Sequence, residues 1–337
     1  MMILKLRAPI YIMFGGFDDT PIVSTPVVLT DARDDTIYFS AIKTPDHWDI
    51  TWKSPTMSVA LYDRFVKYFR ETHDYGVLDR ERIKEIIGFL ELQNERFGTN
   101  AEMPAILSLR NIVIKDKIVK NYHRMNTKIR NIVREYNAGV DIVKLSFKWD
   151  FPPINLMRGI FLTKYNPTIV HAAFARTGDV ETLDARDRAQ LLRAQSHDAE
   201  SFFNIDVATT NAATNERTLV EFFQRLGVAM ETQDSLVAEQ IAEHGRAVIT
   251  PDILFSERVM INGQSVRWIE FKNYLGANMF LYKSNAAQVA KYYEKWGHGA
   301  ICYSFGTVDN VSFPNTQILN ASSLPINIIT PLVEIQN

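Results

Sequence analysis

Cysteine is almost absent. The single Cys302 has no partner for an internal disulfide, which excludes a small fold stapled by bridges. Its setting, Ala300-Ile301-Cys302-Tyr303, reads as a buried strand, so the thiol is expected to be a small core residue. No apolar run approaches the ~18 residues that would span a bilayer, and no secretory signal is recognisable. These absences predict an intracellular protein, in nucleus or cytoplasm, with no membrane partner. Gly/Ser-rich, Pro-rich and Gln-rich tracts are missing, so disorder is not the expected default. Excess charge of one sign is missing too: 37 Lys and Arg stand against 39 Asp and Glu, a net charge of −2. A nucleic-acid partner therefore has to be sought in where the charge lies.

What is present fits a globular chain of more than one domain. The chain has 337 residues, 46% hydrophobic and 23% charged, within the range of folded proteins. Residues 1–60 read as a small β-rich N-terminal segment. Short β-branched and aromatic runs at 10–14, 21–23, 26–29 and 36–40 are separated by Asp, Gly and Pro turns. From about 60 the period changes. Residues 61–205 read as a helical domain, with apolar positions at helical spacing around 59–69, 83–92 and 105–136. A helix-turn-helix pattern follows at 139–165, where Trp149-Asp150-Phe151-Pro152-Pro153 breaks one helix and starts the next. An ordinary helical hairpin explains that pattern as well.

The stretch 110–134 is the most one-sided in charge. It holds Arg110, Lys115, Lys117, Lys120, Arg124, Lys128, Arg130 and Arg134, with Asp116 as the only acid among them. Such a stripe suits phosphates, and a solvated helix face is the plain alternative. Lys115, Lys117, Lys120, Arg124, Lys128 and Arg158 are the expected nucleic-acid contacts.

The chemistry gathers in residues 206–337. Thr250-Pro251-Asp252 heads the apolar run Ile253-Leu254-Phe255. The chain turns at Asn262-Gly263, the strongest short hairpin signal, and returns through Trp268-Ile269-Glu270-Phe271-Lys272. A tight hairpin brings Glu270 beside Asp252. Alternation along a strand puts Glu270 and Lys272 on one face, with Ile269 and Phe271 on the other. Paired carboxylates repel one another unless a cation joins them. With an amine they suit metal-assisted phosphodiester hydrolysis. A surface strand of alternating charge would also explain Glu-x-Lys. A second Thr-Pro-Asp at 44–46 has no hairpin behind it and is set aside. Gln288 and Tyr292 share a helical face. Glu216, ahead of another apolar helix, is a candidate third carboxylate, with Glu221 as its competitor.

Together these residues resemble the PD-(D/E)XK nuclease superfamily. The closer resemblance is to the family named for its Thr-Pro-Asp motif, to which an animal codanin-interacting nuclease belongs. Asp252 looks like the superfamily's metal-binding aspartate, Glu270-Phe271-Lys272 like its Glu-x-Lys, and Gln288 with Tyr292 like its Gln-x-x-x-Tyr element. Trp268-Ile269-Glu270, Trp296-Gly297-His298-Gly299, Phe305-Gly306 and Asp150-Phe151-Pro152-Pro153 match the family more particularly. Residues 1–100 do not match it. The resemblance implies an α/β, restriction-endonuclease-like core with a mixed central sheet, preceded by the helical domain and the β-rich segment. It implies a Mg²⁺- or Mn²⁺-dependent nuclease acting on nucleic acid, with DNA favoured over RNA. Asp252, Glu270 and the Phe271 carbonyl would be metal ligands, Lys272 would position water, and Glu216, Gln288 and Tyr292 would support them. The competing expectations are a catalytically silent nucleic-acid-binding or scaffolding module on the same fold, and an adaptor docking a protein partner through residues 1–100.

Overall fold

A computed structural model of the chain describes residues 27–30, 37–73, 75–175, 180–198, 202–279 and 281–324. The expected strands at 10–14 and 21–23 lie outside these. The described residues form two compact units. One takes the chain up to Val59 and again from Ala212, and the other takes Ala60–Asn211.

The first unit is organised around a mixed sheet. Its strands β1 (Val27–Thr30), β2 (Ile37–Lys43), β3 (Trp48–Trp52), β6 (Ile253–Ile261), β7 (Gln264–Lys272), β8 (Gly299–Tyr303) and β10 (Thr316–Asn320) lie side by side in that order. A short β5 (Met230–Thr232) pairs with the first half of β6, and β3 with its second half. Strands β1–β3 and the β6–β7 pair are antiparallel, while β3–β6, β7–β8 and β8–β10 are parallel. The two-residue strands β4 (Thr56–Met57) and β9 (Thr307–Val308) form a separate parallel pair.

Residues 37–59 therefore extend the C-terminal sheet and are no appended segment. This corrects the separate β-rich domain. The physical reason is burial. Strand β3 alternates buried and exposed side chains, and its inward Ile50 and Trp52 share a core with Ile253, Phe255, Val259 and Ile269. Helix α8 (Phe202–Arg225) covers that face with Leu219 and Phe223. The Phe223 ring packs 5.4 Å from Phe255 and 6.1 Å from Trp52.

The hairpin expected from Asn262-Gly263 is present. Both residues take positive φ, 51° and 76°, as the tight two-residue turn requires. Asn262 does more than turn. Its side-chain oxygen accepts from the Trp52 N–H at 2.8 Å and its amide donates to the Trp52 carbonyl at 3.0 Å. At Gly299, first residue of β8, an added Cβ would stand 2.1 Å from Cε2 of Trp268, so only glycine lets the indole lie against the strand.

The second unit is helical: α1 (Val59–Glu71), α2 (Arg80–Phe97), α3 (Met103–Asn137), α4 (Ile142–Trp149), α5 (Pro153–Lys164), α6 (Pro167–Ala173), α7 (Ala185–Ser196) and the start of α8. Prolines open α3, α5 and α6, where the missing N–H costs nothing. The expected helix-turn-helix corresponds to α4 and α5, joined at a left-handed Asp150 (φ 49°). Its core joins Tyr136, Ile142, Leu145, Phe161 and Leu191.

The basic stripe on α3 is not uniform, which corrects part of the expected nucleic-acid face. Lys117 is 8% exposed; its ammonium donates to Asp150 at 2.7 Å and to the Arg70 carbonyl at 3.2 Å. Arg110 is buried too and donates to the Gly76 carbonyl. A long amphipathic helix must bury some stripe positions, and a buried cation needs a partner. Lys115 is half-buried, and Lys120 is exposed and bonded to Asp116. Arg124 and Lys128 stay exposed, as does Arg158, which lies over the Phe174 ring. No helix among the described residues is long and apolar enough to cross a membrane.

Candidate active site

Antiparallel register explains how Asp252 and Glu270 meet. Ile253 faces Ile269, so Asp252, the residue before β6, stands opposite Glu270, still within β7. The β6 ladder stops there, and the next N–H on β7 needs another acceptor. Asp252 supplies it: its Oδ2 accepts from the Phe271 N–H at 2.6 Å. Thr-Pro-Asp is tied at further points, since the Asp252 carbonyl accepts from the Gln233 N–H and the Thr250 carbonyl from the Tyr292 hydroxyl at 3.1 Å.

Glu270 is 4% exposed and Asp252 5%. Helix α10 (Tyr282–Trp296) brings Gln288 and Tyr292 onto Glu270. The Lys272 ammonium donates to Glu270 Oε1 at 2.6 Å and to the Gln288 oxygen at 3.0 Å. The Gln288 amide donates to the same Oε1 at 2.8 Å and to the Tyr292 oxygen, also at 2.8 Å. The Tyr292 hydroxyl donates to Glu270 Oε2 at 2.9 Å. Trp268 backs the Tyr292 ring edge-on at 5.1 Å, and Gly299 makes room for that indole. This couples the Trp-Ile-Glu and Gly-His-Gly matches through one contact.

Electrostatics set the carboxylates against one another, with Lys272 as their counterweight. Burial, then the charges of Glu270 and Glu216, push the Asp252 carboxyl well above the usual range. Burial and Glu270 also raise Glu216, with Asp234 adding to it. Glu216 is thus in electrostatic reach of both strand carboxylates, whereas Glu221 pairs with Arg225 on its own helix. Burial alone would lower the Lys272 amine, but Glu270's charge and hydrogen bond outweigh it and raise the amine above its ordinary value. The residues expected to act together, Asp252, Glu270, Lys272, Glu216, Gln288 and Tyr292, are brought together. Phe271 joins through its N–H.

Three neighbouring groups escaped the sequence reading. The first is Asp234, in the first turn of α9 (Gln233–His244). The others are Asn215, whose amide donates to Asn273 at 2.7 Å, and Ser304, whose hydroxyl donates to the same Asn273 oxygen. Only Asn215, beside Glu216, carried any sequence signal. Among the described residues no group of three or more His, Cys, Asp and Glu side chains is close enough to form a metal site unaided. The oxygens available to a cation are those of Asp252 and Glu270, with Glu216 beyond them.

A mixed α/β unit with this constellation on a β6–β7 hairpin is the class that fold and site define. Residues 183–322 match the family model described as "Protein of unknown function TPD sequence-motif", which supports the TPD-motif resemblance over that segment. "Uncharacterized protein L539" of Acanthamoeba polyphaga mimivirus is 32% identical over 114 residues, 32% of this chain and 40% of that protein. The match thus spans less than half of the curated relative. No solved structure matches the chain.

Proposed function

We propose that the sheet unit is a metal-dependent nuclease of the PD-(D/E)XK kind on a restriction-endonuclease-like core, hydrolysing phosphodiester bonds in nucleic acid, with DNA favoured. The observation that carries this reading is the convergence of Asp252, Glu270 and Lys272 at the open end of the hairpin, braced by Gln288 and Tyr292. Two buried carboxylates with a third in reach leave more negative charge than Lys272 offsets. Hard oxygens of this kind suit Mg²⁺ or Mn²⁺, and Mg²⁺ commonly takes only one or two protein carboxylates. Asp252 and Glu270 would hold the ion. When bound, the ion neutralises charge on the phosphate and lowers the pKa of a water.

The chain's own groups do the rest. Without the ion, Glu270's charge and hydrogen bond favour the ammonium form of Lys272, and in that form Lys272 acts as a hydrogen-bond donor to the attacking water and the phosphate. Gln288 fixes both Lys272 and Glu270, which holds the amine to one geometry. Cleavage of single-stranded, duplex, flap and junction substrates of DNA and RNA, with Mg²⁺ or Mn²⁺, tests this. Asp252→Ala and Lys272→Gln are each expected to lower cleavage by about a hundredfold or more, with circular dichroism unchanged. Undiminished cleavage in either variant would remove the mechanism. One observation favours the catalytically silent module: the Lys272 ammonium already occupies Glu270 Oε1. A Mn²⁺ titration separates the two readings, since the enzyme binds the ion and Asp252→Ala does not.

A further inference from the structure

A cavity in the helical unit carries chemistry that the site above does not use. It has a volume of about 290 Å³, near the lower end for small-ligand sites. Asn121, Arg124, Met125, Lys128 and Ile132 of α3 form one side, and Lys148, Trp149, Asp150 and Phe151 at the end of α4 form another, with His73 beside them. Spacings of three and four residues place the α3 members on one helical face.

Three observations give this cavity a ligand. First, Arg124 and Lys128 are like charges four apart, an arrangement that costs a helix a few tenths of a kcal/mol. Among the described residues neither cationic group has an ion-pair or hydrogen-bond partner. Second, the acid in the wall is already satisfied. Asp150 receives Lys117 at 2.7 Å and the Tyr75 hydroxyl at 2.8 Å, and His73 lies 3.4 Å away. Lys148, a third cation, pairs with Glu135 at 2.9 Å. Third, the Nε1 of Trp149 is buried and has no acceptor, a cost that native structures seldom carry without a partner. Two unpaired cations around a cavity, with an orphaned N–H on a residue of its wall, call for an anion with several oxygens.

We propose that this cavity is a phosphate-binding pocket, in which Arg124 and Lys128 neutralise one phosphate group of a nucleic acid and Trp149 donates to one of its oxygens. The proposal rests on the nuclease reading only for the choice of nucleic acid as the source of the phosphate. It also narrows the basic stripe: Lys117 serves the pocket from behind, by neutralising Asp150, and touches no ligand.

The test is binding of fluorescent single-stranded and duplex DNA to the full chain in EDTA, over a range of salt. Arg124→Gln with Lys128→Gln is expected to weaken binding about tenfold and to flatten the logarithmic salt slope by about one. Both side chains are exposed, so folding is not at stake. Trp149→Phe keeps a ring, removes the donor, and is expected to weaken binding severalfold with the slope unchanged. Competition by inorganic phosphate would identify an isolated phosphate as sufficient. Its failure to compete, with DNA binding still lost in the double variant, would identify a backbone phosphate. Either supports the pocket. Affinity and slope unchanged in the double variant would overturn the proposal, as would an oligoglutamate peptide binding as tightly as DNA. Asp252→Ala keeps the pocket intact. Lost cleavage with normal DNA binding in that variant separates failure of the nuclease reading from failure of this one.

Discussion

At the scale of single residues, the fold tolerates buried like charge where the proposed chemistry needs it. Asp252, Glu270 and Glu216 crowd one another with Lys272 as their principal counterweight, so removing one charge should relieve the folded state. Asp252→Asn keeps an oxygen for the Phe271 N–H and is expected to raise the melting midpoint by about 2–4 °C at neutral pH, measured by calorimetry. A lowered midpoint would mean the carboxylates are not in conflict. Asp150 behaves oppositely. Burial works against its charge, but Lys117 and Tyr75 outweigh that and hold its carboxyl below the usual range. Its stabilisation is therefore full above the unfolded value of about 3.9 and is lost as pH falls through the lower folded value. Asp150→Asn is expected to cost about 2 kcal/mol at neutral pH, with the difference from wild type closing in urea titrations as pH falls through that lower folded value. The site residues were legible because a turn signal and an alternation rule fix Asp252, Glu270 and Lys272 within one hairpin. Lys117 was not, because its acid lies on another element, and no local pattern tells which cation of a stripe turns inward.

At the scale of elements, the hairpin and α10 form one device, and Gly299 is where it is most exposed to damage. Gly299→Ala drives a methyl into the Trp268 ring, which backs Tyr292 and through it Glu270. The expected cost is about 3 kcal/mol or more, read as a shift in the urea midpoint, with weaker cleavage in the part that stays folded. A wild-type midpoint would show that Trp268 can move aside. The helical elements were readable from their periods, down to the break at Trp149-Asp150. Strand β3 was missed, although Trp48-Asp49-Ile50-Thr51-Trp52 alternates as a strand should. What no local pattern carries is its pairing with β6, some two hundred residues further on.

At the scale of the whole molecule, the segment that matches the TPD-motif model is only part of what the sheet unit requires. Ile50 and Trp52 fill its core, and the Asn262 side chain is satisfied by the Trp52 backbone. A chain starting at residue 60 is expected to be insoluble or to lack a cooperative melting transition, although it keeps every proposed catalytic residue. Calorimetry and size exclusion would check this, and a monomer melting like the full chain would refute it. The parallel pairing of β3 with β6 also sets a timetable during synthesis. At the ribosome's pace of about 5–20 residues per second, β3 waits roughly ten to forty seconds for its neighbour. Throughout that interval β3 has only β2 beside it, and its Trp48, Ile50 and Trp52 wait for the β6 and α8 side chains that share their core in the folded unit.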